Sequence, residues 1–106
     1  MTLDELAHVA HAQAVASGWY DKEGPPTPEA VAVRLALIHA EVSEVLEEIR
    51  QPDEDLSGRR VAEELADVVL RVADLAGWLE IDLARAIREK AAKNAARPRR
   101  HGGKRL

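Results

Sequence analysis

Two short acidic spacings in the chain could do chemistry: Glu41-x-x-Glu44 within "HAEVSEVLEEIR", and Glu64-x-x-Asp67 within "EELAD". Residues three apart on a helix share a flank, so each pair offers two carboxylates side by side. Four carboxylates in one place repel one another, and a divalent cation is one way to relieve that. All-oxygen ligation suits Mg²⁺ or Mn²⁺ rather than zinc. An ion held there could orient a phosphoryl centre, neutralise its charge and activate a water. Either pair alone is common and usually marks a solvated face. Both pairs on matched flanks of successive helices form a much rarer accident, which favours the metal site. Glu48 shares the flank of Glu41 and Glu44 and could be a further ligand or the base for an attacking water. Glu47 points elsewhere, toward solvent.

Whether the pairs meet depends on the elements that carry them. Nineteen alanines, no Phe and only three aromatic residues in 106 point to an all-α protein. Thr2 and Glu5 form a capping-box pattern that opens a first helix, running to about Gly18. "GWYDKEGPPTP" then breaks the chain, and Thr27 before Pro28 caps a second helix that carries to about Arg50. After "QPDEDLSG" a third helix runs from about Arg59 to Leu79. Asp82 caps a fourth, which ends near Ala96 because Pro98 disfavours helix at Arg97. Residues 1–96 are expected to form one helical domain, and residues 97–106 a basic tail.

The second and third helices share a pattern. Apolar residues fall at Val31, Leu35, Ile38, Val42, Val45 and Ile49, and again at Val61, Leu65, Val68, Val72, Leu75 and Leu79. Both series step by four and three in alternation, which predicts one narrow buried stripe per helix. A short connection favours an antiparallel hairpin with the stripes facing. At about 100° per residue, the two acidic pairs lie on same-handed flanks, and Arg71, Asp74 and Trp78 continue the row on the third helix. The local two-fold of such a hairpin keeps equivalent flanks on one side, so Glu41, Glu44, Glu64 and Asp67 should converge.

Composition limits the alternatives. The length allows one modest core, and so small a core favours oligomerisation into a larger helical bundle as a supplement. Without cysteine there is neither a disulfide framework nor a thiolate site, and a reducing cytoplasm is the natural setting. The N-terminus lacks the basic start and apolar run of a signal peptide, and no apolar stretch suggests a membrane span. The net charge of −4 conceals an asymmetry. No acid follows Glu89, whereas Lys90, Lys93, Arg97, Arg99, Arg100, Lys104 and Arg105 do. The tail "RPRRHGGKRL" could close over a bound triphosphate, although such runs are more often solvated. Nonspecific nucleic-acid binding has poor support from one short basic patch on an acidic chain.

The stretches "HAEVSEVLEEIR", "EELADVVLRVADLAGWLEIDL" and "REKAAKNAARPRRHGGK" together resemble the MazG-like all-α nucleotide pyrophosphohydrolases. That family's pattern is ExxE, a gap of one to two dozen residues, then ExxD; here nineteen residues separate Glu44 from Glu64. The resemblance covers residues 35–104. It implies a Mg²⁺-dependent enzyme that cleaves nucleoside triphosphates between the α and β phosphates, releasing a monophosphate and pyrophosphate. It also implies that Glu41, Glu44, Glu64 and Asp67 hold the metal, and that Lys90 and Asn94 contact substrate. Assembly as dimers or tetramers is implied too, with sites completed at subunit interfaces. Where some relatives place a tyrosine one turn after the ExxD aspartate, this chain has Arg71, a further candidate for substrate contact.

Other residues allow two readings. Lys90, Asn94 and Arg97 sit one turn apart and could offer a polar face to phosphates, or could be cations set against a helix C-terminus. Trp19 and Tyr20 could stack on a base; a tryptophan at a helix end is more often a core anchor. Trp78 faces the same choice, with packing favoured. His8 and His11 match no zinc pattern and suit surface or site-edge roles. A narrower enzyme alternative is a phosphoribosyl-ATP pyrophosphohydrolase. The rival from another class is a noncatalytic helical module that dimerises and binds a cation.

Overall fold

Local chemistry sets each helix boundary. The computed structural model describes residues 1–53 and 55–98, among which there are four helices and no strand. They are α1 (Leu3–Ala16), α2 (Pro28–Ile49), α3 (Arg59–Trp78) and α4 (Leu83–Ala95). Thr2 closes the expected capping box: its hydroxyl accepts from the Glu5 amide at 3.1 Å, and its own amide donates to the Glu5 carboxylate at 3.3 Å. Thr27 caps α2 by accepting from the Ala30 amide, with Pro28 in the first turn. Asp82 caps α4 by accepting from the Arg85 amide. None of these helices is long and apolar enough to cross a membrane.

α1 stops two residues before the expected Gly18 because that glycine turns left-handed, at φ 86°. The amides of Gly18 and Trp19 then donate back to Val15 and Ala14, closing the helix end. The same closure ends α3, where Glu80 and Ile81 donate to Gly77 and Ala76 with Glu80 at φ 55°. A glutamate is an uncommon occupant of that conformation.

α3 is the central element, packed against α1 and α2, while α4 leans on α1. The α1–α3 seam is built from small residues. Ala7, Ala10, Ala73 and Ala76 are buried, and Gly77 meets α1 so closely that an added Cβ would lie 2.7 Å from the His11 Cβ and 3.0 Å from the Ala7 carbonyl oxygen. Between α2 and α3, Arg34 reaches Trp78 and Glu41 reaches Arg71. These contacts are compatible with the expected hairpin.

The apolar stripes are only partly covered, which corrects the expectation of one narrow buried stripe per helix. Val61 is buried, and Val31, Ile38, Val45, Val68, Leu75 and Leu79 are half-buried. The intervening members, Leu35, Val42, Ile49, Leu65 and Val72, are exposed, Val42 and Leu65 each at 51%. One helix-to-helix seam reaches only alternate members of a four-three stripe. The other edge of each stripe, extended by Leu46 and Val69, faces outward. The basic tail from residue 99 onward lies outside the described residues.

The Gly77 contact gives a test of the α1–α3 seam. Gly77→Ala gains about 1 kcal/mol of helix propensity, but overpacking of this kind costs about 1–3 kcal/mol. The variant should lose stability, seen as a lower urea midpoint; a raised midpoint would mean that α1 yields easily.

Candidate metal centre

Three of the four expected ligands come together at cation spacing, and Glu44 lies outside that group. Glu41 of α2 and Glu64 and Asp67 of α3 each place one carboxylate oxygen within 4.8 Å of the others. Oxygens bound to one hard cation at about 2.1–2.5 Å stand within about 5 Å of each other, so the spacing fits a single ion. Glu44 stands beside Glu64, close enough to share a hydrogen bond when Glu64 is protonated. Loss of hydration raises the Glu64 carboxyl above its ordinary value of 4.5; the hydrogen bond and charge of Glu44, then the charges of Asp67 and Glu41, raise it further. One oxygen each of Glu64 and Glu48 is buried without a hydrogen-bond partner among the described residues. Orphaned oxygens, crowded like charges and an all-carboxylate donor set together fit a hard divalent cation.

The cation that does stand against this cluster is Arg71. Its Nε donates to Glu41 Oε1 at 2.6 Å, and its guanidinium carbon lies 4.3 Å from the centroid of the Trp19 ring. Beside it opens a cavity of about 400 Å³, within the range of small-molecule sites. Ala10, Gln13, Ala14 and Ser17 form the α1 side, with Trp19 following, and Glu41, Asp67, Leu70, Arg71 and Asp74 form the opposite side. Trp19 is 45% exposed; it lines this cavity and does not anchor the core, the commoner reading of such a tryptophan.

A buried polar network fixes the loop that carries Trp19. Arg34 donates to the Trp19 carbonyl at 2.7 Å and to Glu23 at 3.3 Å. Its guanidinium lies 4.2 Å from the Tyr20 ring centroid and 5.6 Å from that of Trp78. Buried Asp74 accepts from the Tyr20 hydroxyl and from His11 Nδ1, both at 2.9 Å. Burial, then the Asp74 hydrogen bond, raise the Tyr20 hydroxyl above its ordinary value, so it remains a donor. His11 thus sits at the edge of the site, as expected, whereas His8 is exposed. Trp78 is half-buried against Tyr20, in agreement with a packing role.

Sequence reasoning missed Arg34 and Gln13 altogether, and placed Asp74 in the acid row without its partners. Nothing in the local pattern marks Arg34, because its partners lie in the loop before α2 and at the end of α3. Lys90, Asn94 and Arg97 are exposed, and none of them lines the cavity. The chain by itself therefore does not bring α4 to the acids. Glu47 is exposed and pairs with Arg50 at 3.0 Å, as its outward direction predicted.

The raised Glu64 carboxyl has a consequence for stability. In metal-free protein the favourable contribution of protonated Glu64 is complete below pH 4.5. It is lost as pH rises through the raised folded value. Glu64→Gln removes that loss, so in chelator at neutral pH the variant should melt above the wild type, with the gap closing toward pH 4. A variant melting below the wild type at neutral pH would contradict the crowding.

Comparison with known families bears on this geometry directly. The family model described as the MazG nucleotide pyrophosphohydrolase domain matches residues 30–101, a span that includes all the clustered acids. Among curated proteins and among solved structures no match was found. The family match covers most of the sequence and coincides with the helices that build the carboxylate cluster: the chain belongs to the MazG nucleotide pyrophosphohydrolase domain family.

Proposed function

We propose that the protein is a Mg²⁺-dependent nucleoside triphosphate pyrophosphohydrolase, converting (d)NTP to (d)NMP and pyrophosphate, with Mn²⁺ able to replace Mg²⁺. Family membership supports nucleotide pyrophosphohydrolysis in general. The observation that carries the finer reading is the carboxylate cluster at the wall of a cavity with an exposed tryptophan on its far side. Glu41, Glu44, Glu64 and Asp67 would hold the metal. Bound there, Mg²⁺ supplies charge neutralisation at the phosphates and a more acidic water.

The remaining steps fall to the chain's own groups. The Trp19 face receives the base by stacking, with its main chain held by Arg34. Glu48, one turn beyond Glu44, has a buried oxygen without a donor among the described residues and takes the proton of the attacking water. The water oxygen bonds to the α-phosphorus, the bond from that phosphorus to the bridging oxygen breaks, and pyrophosphate leaves with the electron pair. Arg71 offers a planar donor fork to phosphate oxygens.

Lys90, Asn94 and Arg97 are assigned to substrate phosphates of a neighbouring subunit's site, which an isolated chain would leave incomplete. The outward apolar rows on α2 and α3 support such an assembly, because a second hairpin would cover them. The protein is therefore proposed to act as a homodimer or homotetramer, at work on a cytoplasmic nucleotide pool. Removal of noncanonical or surplus deoxynucleotides is the role that would suit it.

Product analysis over a panel of NTPs, dNTPs and phosphoribosyl-ATP tests the reading, with light scattering to give the assembled mass. Monophosphate and pyrophosphate should form with Mg²⁺ and vanish with chelator. Glu64→Gln should lose turnover by about 10²-fold or more together with metal affinity. Glu48→Gln should lose a similar factor, typical of a general base, while still binding metal. Metal binding without turnover on any triphosphate would favour a noncatalytic module instead.

A further inference from the structure

We propose that Arg71 is a displaceable stopper shared by the metal centre and the Trp19 face, so that a divalent cation uncovers the surface on which the base stacks. The inference rests on the metal and base assignments made above and adds a link between them. Arg71 holds two groups at once, Glu41 through a 2.6 Å ionic hydrogen bond and the Trp19 ring from 4.3 Å. Glu41 is also one of the three residues whose oxygens gather at cation spacing. A cation accepting that carboxylate removes Arg71's ionic partner and places a second positive charge beside the guanidinium. A base on Trp19 competes for the ring face that the guanidinium covers.

Arg34 holds the Trp19 main chain through its carbonyl, and the Arg71 guanidinium, at the end of a long side chain, is held by the Glu41 carboxylate and the Trp19 ring. The charged groups that share the cavity with Arg71 are Glu41, Asp67 and Asp74. Both Asp74 oxygens are already engaged, by His11 and Tyr20, and Asp67 belongs to the metal cluster. Among the described residues that line the cavity, a released Arg71 therefore meets no other unengaged carboxylate, and phosphate oxygens are the acceptors that suit its fork. Displacement by either ligand removes a cost from the other. The coupling is reciprocal, and couplings of this kind are commonly about 5- to 150-fold in affinity.

Mn²⁺ affinity, read by electron paramagnetic resonance of the free ion, and Trp19 emission during Mg²⁺ titration in a Trp78→Phe background test the proposal. Arg71→Met and Trp19→Leu should each bind Mn²⁺ at least about 5-fold more tightly than wild type, the second because the stopper loses one of its two holds. Mg²⁺ should change Trp19 emission when Arg71 is present and leave it unchanged in Arg71→Met. Wild-type Mn²⁺ affinity in Trp19→Leu would overturn the stopper, since Arg71 would then act by its charge alone. Unchanged Trp19 emission at saturating Mg²⁺ in the Trp78→Phe protein that keeps Arg71 would overturn it as well. These last two readouts decide the matter even if Arg71→Met does not fold. Absence of Mn²⁺ binding in every form would overturn the metal centre itself, a failure separate from that of the stopper.

Discussion

Mutual repulsion among carboxylates is the constraint around which this molecule is arranged. Glu41, Glu64 and Asp67 crowd together from two helices with Glu44 beside Glu64, and loss of hydration with these neighbouring charges pushes Glu64 toward its protonated form. Such a cluster opposes folding when it is empty. It persists because the helices that carry it are committed elsewhere, α3 by its alanine seam with α1 and both helices by the Val31, Ile38, Val61 and Val68 side of the stripe. Arg71 offsets part of the charge from within the chain. A bound cation would relieve the rest.

The small residues of the α1–α3 seam do more than fill space. By letting α1 approach to the limit set by Gly77, they bring Gln13, Ser17 and Trp19 opposite the acids and so create the cavity. The Arg34 and Asp74 networks then hold the loop after α1 in register with α3. The two buried charges of these networks have partners, Arg34 in Glu23 and the Trp19 carbonyl, Asp74 in His11 and Tyr20, although the Arg34 Nε is left without one among the described residues. Truncating one member of such a set would leave the other buried and unmatched, which is costly in a way that surface pairs such as Arg59–Glu63 are not.

Much of this was legible in the sequence, for identifiable reasons. Caps at Thr2, Thr27 and Asp82 act through hydrogen bonds three residues away, so local pattern was enough to place the helix starts. The acids converge because their spacing and their flank relative to the apolar stripe fix their direction once α2 and α3 pack. What was not legible depends on distant pairing. Arg34 looks like any solvated helical arginine until Tyr20 and Trp78 stack about it. The Asp74 contacts span 54 and 63 residues of chain. A stripe that reads as buried cannot say whether its second edge is covered by the same chain; here Val42 and Leu65 show that it is not.

The account turns on where water attacks. In the proposed function, the carboxylate cluster would hold the metal and the cavity beside it would take the base, which would set the α-phosphorus next to the acids. Hydrolysis of a triphosphate substrate in ¹⁸O-labelled water, with mass spectrometry of both products, reads this directly. Label should appear in the monophosphate, with unlabelled pyrophosphate. Label in pyrophosphate would put the attack on the β-phosphorus and contradict the arrangement derived from Glu41, Glu64, Asp67 and Trp19.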